Sequence, residues 1–201
     1  MFEAILNAKA NLKAGATYAI YGPDDWIYYG QLAKDKSIGF FRLRTRDLAD
    51  DDEVFRSTLM CRFVVSYPSV GRALRSGNWK YLGTFPMQEA LTMERETIQW
   101  PVGTLDVSVW RDGKEVAITT VDDAAIQCSE IMAAWDAIYH VPGRLQVDYD
   151  RAEPGNTIGG PIWRERLLKQ EFAKRFPDNP FHDLPIGWVW LESTTEYARP
   201  A

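Results

Sequence analysis

The sequence predicts an α+β protein: a mostly antiparallel β-sheet or small open barrel over roughly the first 120 residues, then amphipathic helices and a C-terminal extension. Three observations carry that expectation. Aromatic and β-branched runs, punctuated by turn residues, fill the chain up to Val121. An Asp112-Gly113 pair sits between alternating apolar residues, the local signature of a hairpin. From Ala124 onward the apolar residues recur at the spacing of a helix face.

Thr17 to Tyr21 and Trp26 to Leu32 read as the first two strands, separated by the turn-forming Gly22-Pro23-Asp24-Asp25. Ile38 to Arg44 follows, with Ile38, Phe40 and Arg42 on one face and Phe41 with Leu43 on the other. Leu59 to Tyr67 is a fourth strand, closed by Pro68, which cannot donate to a central ladder. Ser69 to Ser76 is a short helix or loop, and Asn78 to Gly83 a short strand around Trp79. At Asp112-Gly113 a two-residue type I′ turn requires positive φ at both positions and sets the register. Arg111 then pairs with Lys114, Val109 faces Val116 and Val107 faces Ile118, while Trp110 lies on the opposite face across from Glu115.

Beyond Val121, Ala124, Cys128, Ile131, Trp135 and Ile138 form a helical stripe that Asp122 or Asp123 is placed to cap and Pro142-Gly143 to interrupt. Glu153 to Gly160 is the best linker, and Pro161 opens a helix that runs to Phe176 and is stopped by Pro177. Its apolar face is Trp163, Leu167, Leu168 and Phe172, with Arg164, Arg166, Lys169, Lys174 and Arg175 on the remainder. Trp188-Val189-Trp190 reads as a last strand. The chain thus divides into a core at residues 1–152 and a linker, helix and aromatic tail at 153–201.

Composition narrows the function classes. The chain has 201 residues, and 23 Lys and Arg stand against 28 Asp and Glu for a net charge of −5. A binder of phosphate backbones carries a basic excess, so nucleic acid is not the expected partner. No run approaches the roughly 18 consecutive apolar residues of a membrane helix, and Met1 to Leu12 lacks the apolar centre of a signal peptide. A cytoplasmic protein with reduced thiols is expected, with no membrane partner.

The residues that carry chemistry are few. The two cysteines, Cys61 and Cys128, and two histidines, His140 and His182, supply neither a disulfide framework nor a zinc site. Cys128 and His140, twelve residues apart, would stand roughly 18 Å apart on one helix, and Cys128 is expected as a small core residue. The run Asp50-Asp51-Asp52-Glu53 lacks the spacing of a calcium loop and reads as a solvated loop starting a turn of helix at Val54-Phe55, so no metal is expected. Gly155 to Gly160 carries no phosphate-loop pattern, and no cofactor is expected. Large aromatics are core by default. Trp26 and Tyr28 share a strand face beside the Asp24-Asp25 turn and, if exposed, suit a protein–protein contact, while Trp110 is either covered by another layer or exposed.

Two stretches, Lys13-Ala14-Gly15-Ala16-Thr17-Tyr18-Ala19-Ile20 with Tyr28-Tyr29-Gly30-Gln31-Leu32, and Gly77-Asn78-Trp79-Lys80-Tyr81-Leu82-Gly83 with Phe85-Pro86, carry a resemblance to a known family. A looser third runs from Glu130 through Ala133-Ala134-Trp135 to His140-Val141 and Arg144-Leu145. The chain resembles the bacterial polymorphic-toxin immunity proteins, in particular the immunity protein 26 family, over roughly residues 13 to 121 and more weakly to 145. The resemblance implies an antiparallel α+β protein that stays in the cytoplasm and neutralises a cognate protein toxin, with no catalytic residues. Many intracellular toxins are basic nucleases, and acidic inhibitors steer association by complementary charge. On that logic Asp24, Asp25, Trp26, Asp50, Asp51, Asp52 and Glu53 are the expected partner-binding residues. The competing classes are an enzyme of unfamiliar type acting through His140, and a homo-oligomeric module joined through Trp188 and Trp190. The sequence leaves the oligomeric state open.

Overall fold

A computed structural model describes residues 1–150 and 159–191. In chain order the elements are β1 (Ala16–Tyr21), β2 (Ile27–Leu32), β3 (Ser37–Thr45), α1 (Asp51–Arg56), β4 (Leu59–Val65), α2 (Tyr67–Arg75) and β5 (Trp79–Thr84). There follow β6 (Glu96–Gln99), β7 (Asp106–Arg111), β8 (Lys114–Thr120), β9 (Glu130–Ile131), β10 (Ala134–Trp135), α3 (Val141–Asp150) and α4 (Ile162–Arg175). The protein is α+β, as its sequence pattern predicts. Two compact units share these elements, and each takes two stretches of chain: residues 1–93 with 133–150, and residues 94–132 with 159–191.

The first unit is a six-stranded sheet in the order β10-β4-β3-β2-β1-β5, curled into a half-barrel. All its pairings are antiparallel except that of β10 with β4. Alternation places Tyr18, Ile20, Tyr28, Ile38, Phe40 and Phe63 on one face, under Val70 and Leu74 of α2 and Val141 and Leu145 of α3. Ala19, Ile27, Tyr29 and Phe41 fill the other face, under Val54 of α1. Covering both faces explains why every residue of β2 is buried. Gly30 belongs to that crowding: a Cβ there would lie 2.9 Å from the side chains of both Ile38 and Phe40. Trp79 is buried in the same core, its indole N–H donating to the Ala137 carbonyl at 3.0 Å.

One charge lies inside that core. Arg144 is fully buried, with its guanidinium 3.9 Å from the Phe63 ring centroid and 4.6 Å from that of Trp135. Asp148, one turn along α3, meets it at 3.3 Å.

The second unit holds a four-stranded sheet in the order β8-β7-β6-β9, with Ile98, Val107, Val109, Val121, Ile126 and Ile162 as its core. The hairpin turn is as predicted: Asp112 and Gly113 have φ of 49° and 72°, and Arg111 pairs with Lys114. Trp110 also meets Glu115. The register then slips at a bulge, so Val109 faces Ala117 and Val107 faces Thr119, not Val116 and Ile118. The displaced valine and isoleucine are exposed, as an edge strand permits.

Five further expectations are corrected. The helical stripe from Ala124 to Ile138 is a 3₁₀ turn, Ala124–Ile126, followed by the two-residue strands β9 and β10. Asp123 does cap that turn, accepting from the Ala125 amide. Parallel pairing of Ile131 beside Ile98, and of Trp135 beside Val65, gives those residues partners that an amphipathic period cannot reveal. Pro142 and Gly143 lie in the first turn of α3, where the missing proline N–H costs nothing. On α4, Arg164 and Arg166 are buried, and Arg166 donates to the Gln127 side chain at 2.9 Å and to the Val189 carbonyl at 2.7 Å. Trp188 to Trp190 form no strand: Trp188 stacks on Trp100 at 5.9 Å, and Gln170 binds the backbone of Leu191 through both its amide atoms. β4 ends earlier than expected, at Val65, and Pro68 does not close the strand but lies in the first turn of α2, which begins at Tyr67. Of the linker, residues 153–158 lie outside the described residues.

Replacing Asp148 by Ala removes a carboxylate that meets the buried Arg144, and urea unfolding should show a loss of about 3 kcal/mol. The double substitution Arg144→Met with Asp148→Leu should cost less, because it removes the buried cation together with this carboxylate.

Candidate functional site

The register of β2 on β3 gathers the expected partner residues. Ile27 pairs with Thr45, so the turn before β2 and the loop after β3 lie at the same end of the half-barrel sheet. Asp24, Asp25 and Asp50 to Glu53 are exposed there, and Trp26 is half-buried. The two clusters approach that end from opposite faces. Trp26 packs with the core under α3, whereas Val54, which anchors the acidic first turn of α1, packs with the other.

The turn is unusually constrained. Asp24 and Asp25 both hold left-handed backbone, at φ of 55° and 59°. For non-glycine residues that conformation costs about 1 kcal/mol or more each, least for Asp and Asn. Contacts on every side hold it. The Gly22 amide donates to the Trp26 carbonyl at 2.7 Å, and the Trp26 amide to the Pro23 carbonyl at 3.2 Å. The Tyr21 hydroxyl donates to the Asp25 carboxylate, which keeps the Tyr21 phenol above its usual range. The Arg46 guanidinium donates to the Asp24 carbonyl, and Gln146 of α3 donates to the Asp24 carboxylate at 3.0 Å.

Trp26 is not a free aromatic. The Arg46 guanidinium lies 3.8 Å from its ring centroid and that of Arg44 4.5 Å. Arg44 also stands 4.3 Å over Tyr149 and pairs with Asp150 at 2.6 Å, while Arg42 donates to the Tyr149 carbonyl at 3.2 Å and lies over its ring. Arg42 and Arg44 alternate along β3 and Arg46 continues the spacing one residue past its end, a period-two run of arginines that is visible in the sequence. Burial raises the Tyr28 phenol against the pull of the neighbouring Arg44.

On α1, Asp50 is the N-cap, accepting from the Glu53 amide at 2.8 Å, and Asp51, Asp52 and Glu53 occupy the first turn, where the helix dipole favours carboxylates. Asp52 meets Arg56 at 3.0 Å in an exposed pair, worth little in itself. The Tyr29 hydroxyl accepts from the Ala49 amide and bonds Thr45, which ties the intervening loop to β2.

The residues of the competing classes are placed otherwise. His140 is exposed, and its Nδ1 accepts from the Asp136 amide at 3.3 Å. The Asp136 carboxylate accepts from the Ile138 and Tyr139 amides and from Arg72 at 2.7 Å. Partial burial pushes its pKa up, but those amides and the guanidinium outweigh it and hold the carboxyl below the usual range. Ser69, nearby, spends its hydroxyl on the Ser66 carbonyl and the Ala137 amide. These groups order the turn that opens α3. Cys128 is exposed, contrary to its expected core position, and burial of its thiol nonetheless pushes the pKa up, away from thiolate chemistry. Trp188 is held by its stacking partner, whereas Trp190 is half exposed with Lys174 over its ring. Among the described residues, no group of three or more His, Cys, Asp or Glu side chains is placed to hold a metal ion. No helix among them is long and apolar enough to cross a membrane.

No family model matches the chain, and neither do any curated proteins or solved structures.

Asp136→Asn should destabilise the protein by about 1–2 kcal/mol at neutral pH, since hydrogen bonds to a charged acceptor are among the stronger ones. The folded-state pKa of Asp136 is depressed, so its contribution is present above the unfolded value and lost as pH falls through the folded one. Unfolding curves of wild type and variant should therefore begin to converge only as pH falls below about 4, and meet below the folded-state value.

Proposed function

We propose that this chain is a cytoplasmic binding protein of the immunity type, which neutralises a cognate toxin by direct protein–protein contact. The observation that carries this is the concentration of exposed carboxylates at one end of the half-barrel sheet. Asp24, Asp25, Asp47 and Asp50 to Glu53 stand there against Arg44, Arg46 and Arg56. Arg44 is offset by Asp150, and Arg46 is exposed and held against Trp26 and the Asp24 carbonyl, so the carboxylates outnumber the cations at this rim. The partner that suits such a rim is basic, and the rim acts chiefly by raising the rate of encounter. Asp24, Asp25 and Asp50 to Glu53 are the contact residues, and Trp26 supports the turn that presents two of them. The short family-like stretches around Tyr18, Tyr28 and Trp79 support the same role.

The test is co-purification with this chain as bait from cells that also produce a polymorphic toxin encoded beside it. A stoichiometric complex that abolishes toxicity is expected. Reversing Asp51, Asp52 and Glu53 to Lys should slow association at low salt by about tenfold, with the dissociation rate little changed. An unchanged association rate would remove the acidic rim from the interface.

A further inference from the structure

The turn that presents Asp24 and Asp25 is tied to a helix more than a hundred residues away in sequence. Arg46, Trp26, Arg44 and Tyr149 form a continuous stack, with centroid distances of 3.8, 4.5 and 4.3 Å from one member to the next. Tyr149 and Asp150 end α3, and Asp150 fixes Arg44 at 2.6 Å. One turn earlier on the same helix, Gln146 reaches the Asp24 carboxylate directly. The far end of the stack returns to the turn through Arg46 and the Asp24 carbonyl. Two routes therefore run from the C-terminal half of α3 to a pair of left-handed aspartates that need support on every side.

We propose that the last turn of α3 is a latch on the Pro23–Asp25 turn: with Tyr149 and Asp150 seated, the two aspartates are held outward, and with them released the turn relaxes. Guanidinium planes stacked on aromatic rings keep a fixed orientation, whereas a lysine ammonium in their place would not. Displacing the end of α3 thereby changes the acidic surface without touching it. The functional consequence, control of partner encounter, rests on the binding role proposed above; the coupling does not.

Hydrogen exchange on the full-length chain tests it. The reporters are the Gly22 and Trp26 amides, which close the turn, and the reference is the Lys36 amide, bonded to the Ala33 carbonyl at the opposite end of β2 and β3. Tyr149→Ala and Asp150→Asn should each speed exchange at the two reporters by about three- to tenfold, the scale of losing one or two cation–π or ion-pair contacts. Tyr149→Phe, which keeps the ring, should leave them unchanged, and Arg46→Ala should free the turn from its own side. Unchanged reporters in Tyr149→Ala and Asp150→Asn would overturn the latch, and so would an equal rise at Lys36, which would mean general loosening. If reporters respond while charge reversal at Asp24 and Asp25 leaves toxin association unchanged, the coupling stands and the two aspartates drop out of the interface.

Discussion

A sheet with no solvent-facing side must be covered twice, and the first unit is organised around that requirement. β2 has six buried residues in succession, and β1 and the first half of β3 are nearly as dry. Tyrosine serves here because its hydroxyl can reach past the apolar layer: Tyr18 bonds Asn11, and Tyr29 bonds the loop that leads into α1. Burial holds the Tyr18 phenol up at about 12, so it stays protonated and able to donate. Charge is absent from β1, β2 and the first half of β3 and appears where the cover ends. In β3 that point falls just after Phe41, and the arginines begin there. The stack on Trp26 and the acidic turn beside it are what the fold does with polar groups at the rim of a doubly covered sheet.

Much of this was legible in the sequence because it is local. Alternation assigned Ile38 and Phe40 to one side and Phe41 to the other, and Asp-Gly fixed the hairpin turn. What could not be read is what depends on partners remote in sequence. The bulge that displaces Val116 leaves no mark in the residues around it. The segment from Glu130 to Trp135 carries apolar residues at helical intervals, yet its short strands are specified by β6 and β4. The exposed acids of the candidate site were visible as exposed acids. That Trp26 would be clasped by two arginines was not, since neither is its neighbour in sequence.

The second unit departs further from binary pattern. Its helix buries arginine and glutamine where a leucine stripe would be simpler. Arg166 and Gln170 do so because the tail beyond the 3₁₀ turn Pro180–His182 runs without regular structure to Leu191, and an irregular backbone needs side chains to satisfy its carbonyls and amides. Gln127 plays the same part for the loop after β8, donating to the carbonyls of Val121 and Asp123. A sequence that looks amphipathic with a basic face is thus a helix whose long polar side chains hold a tail in place.

Neither unit is continuous in the chain, and this bears on how the protein is made. Residues 1–93 cannot complete their sheet edge or receive α3 until residues 133–150 have left the ribosome. By then β6 to β9 have already emerged and lie between the two halves in time. The half-barrel must wait, with β4 unpaired at its edge and the inner core uncovered on the α3 side, while part of another unit passes through the exit tunnel. Slow translation across residues 94–132 would prolong that exposed state, and chaperone demand should peak in that window.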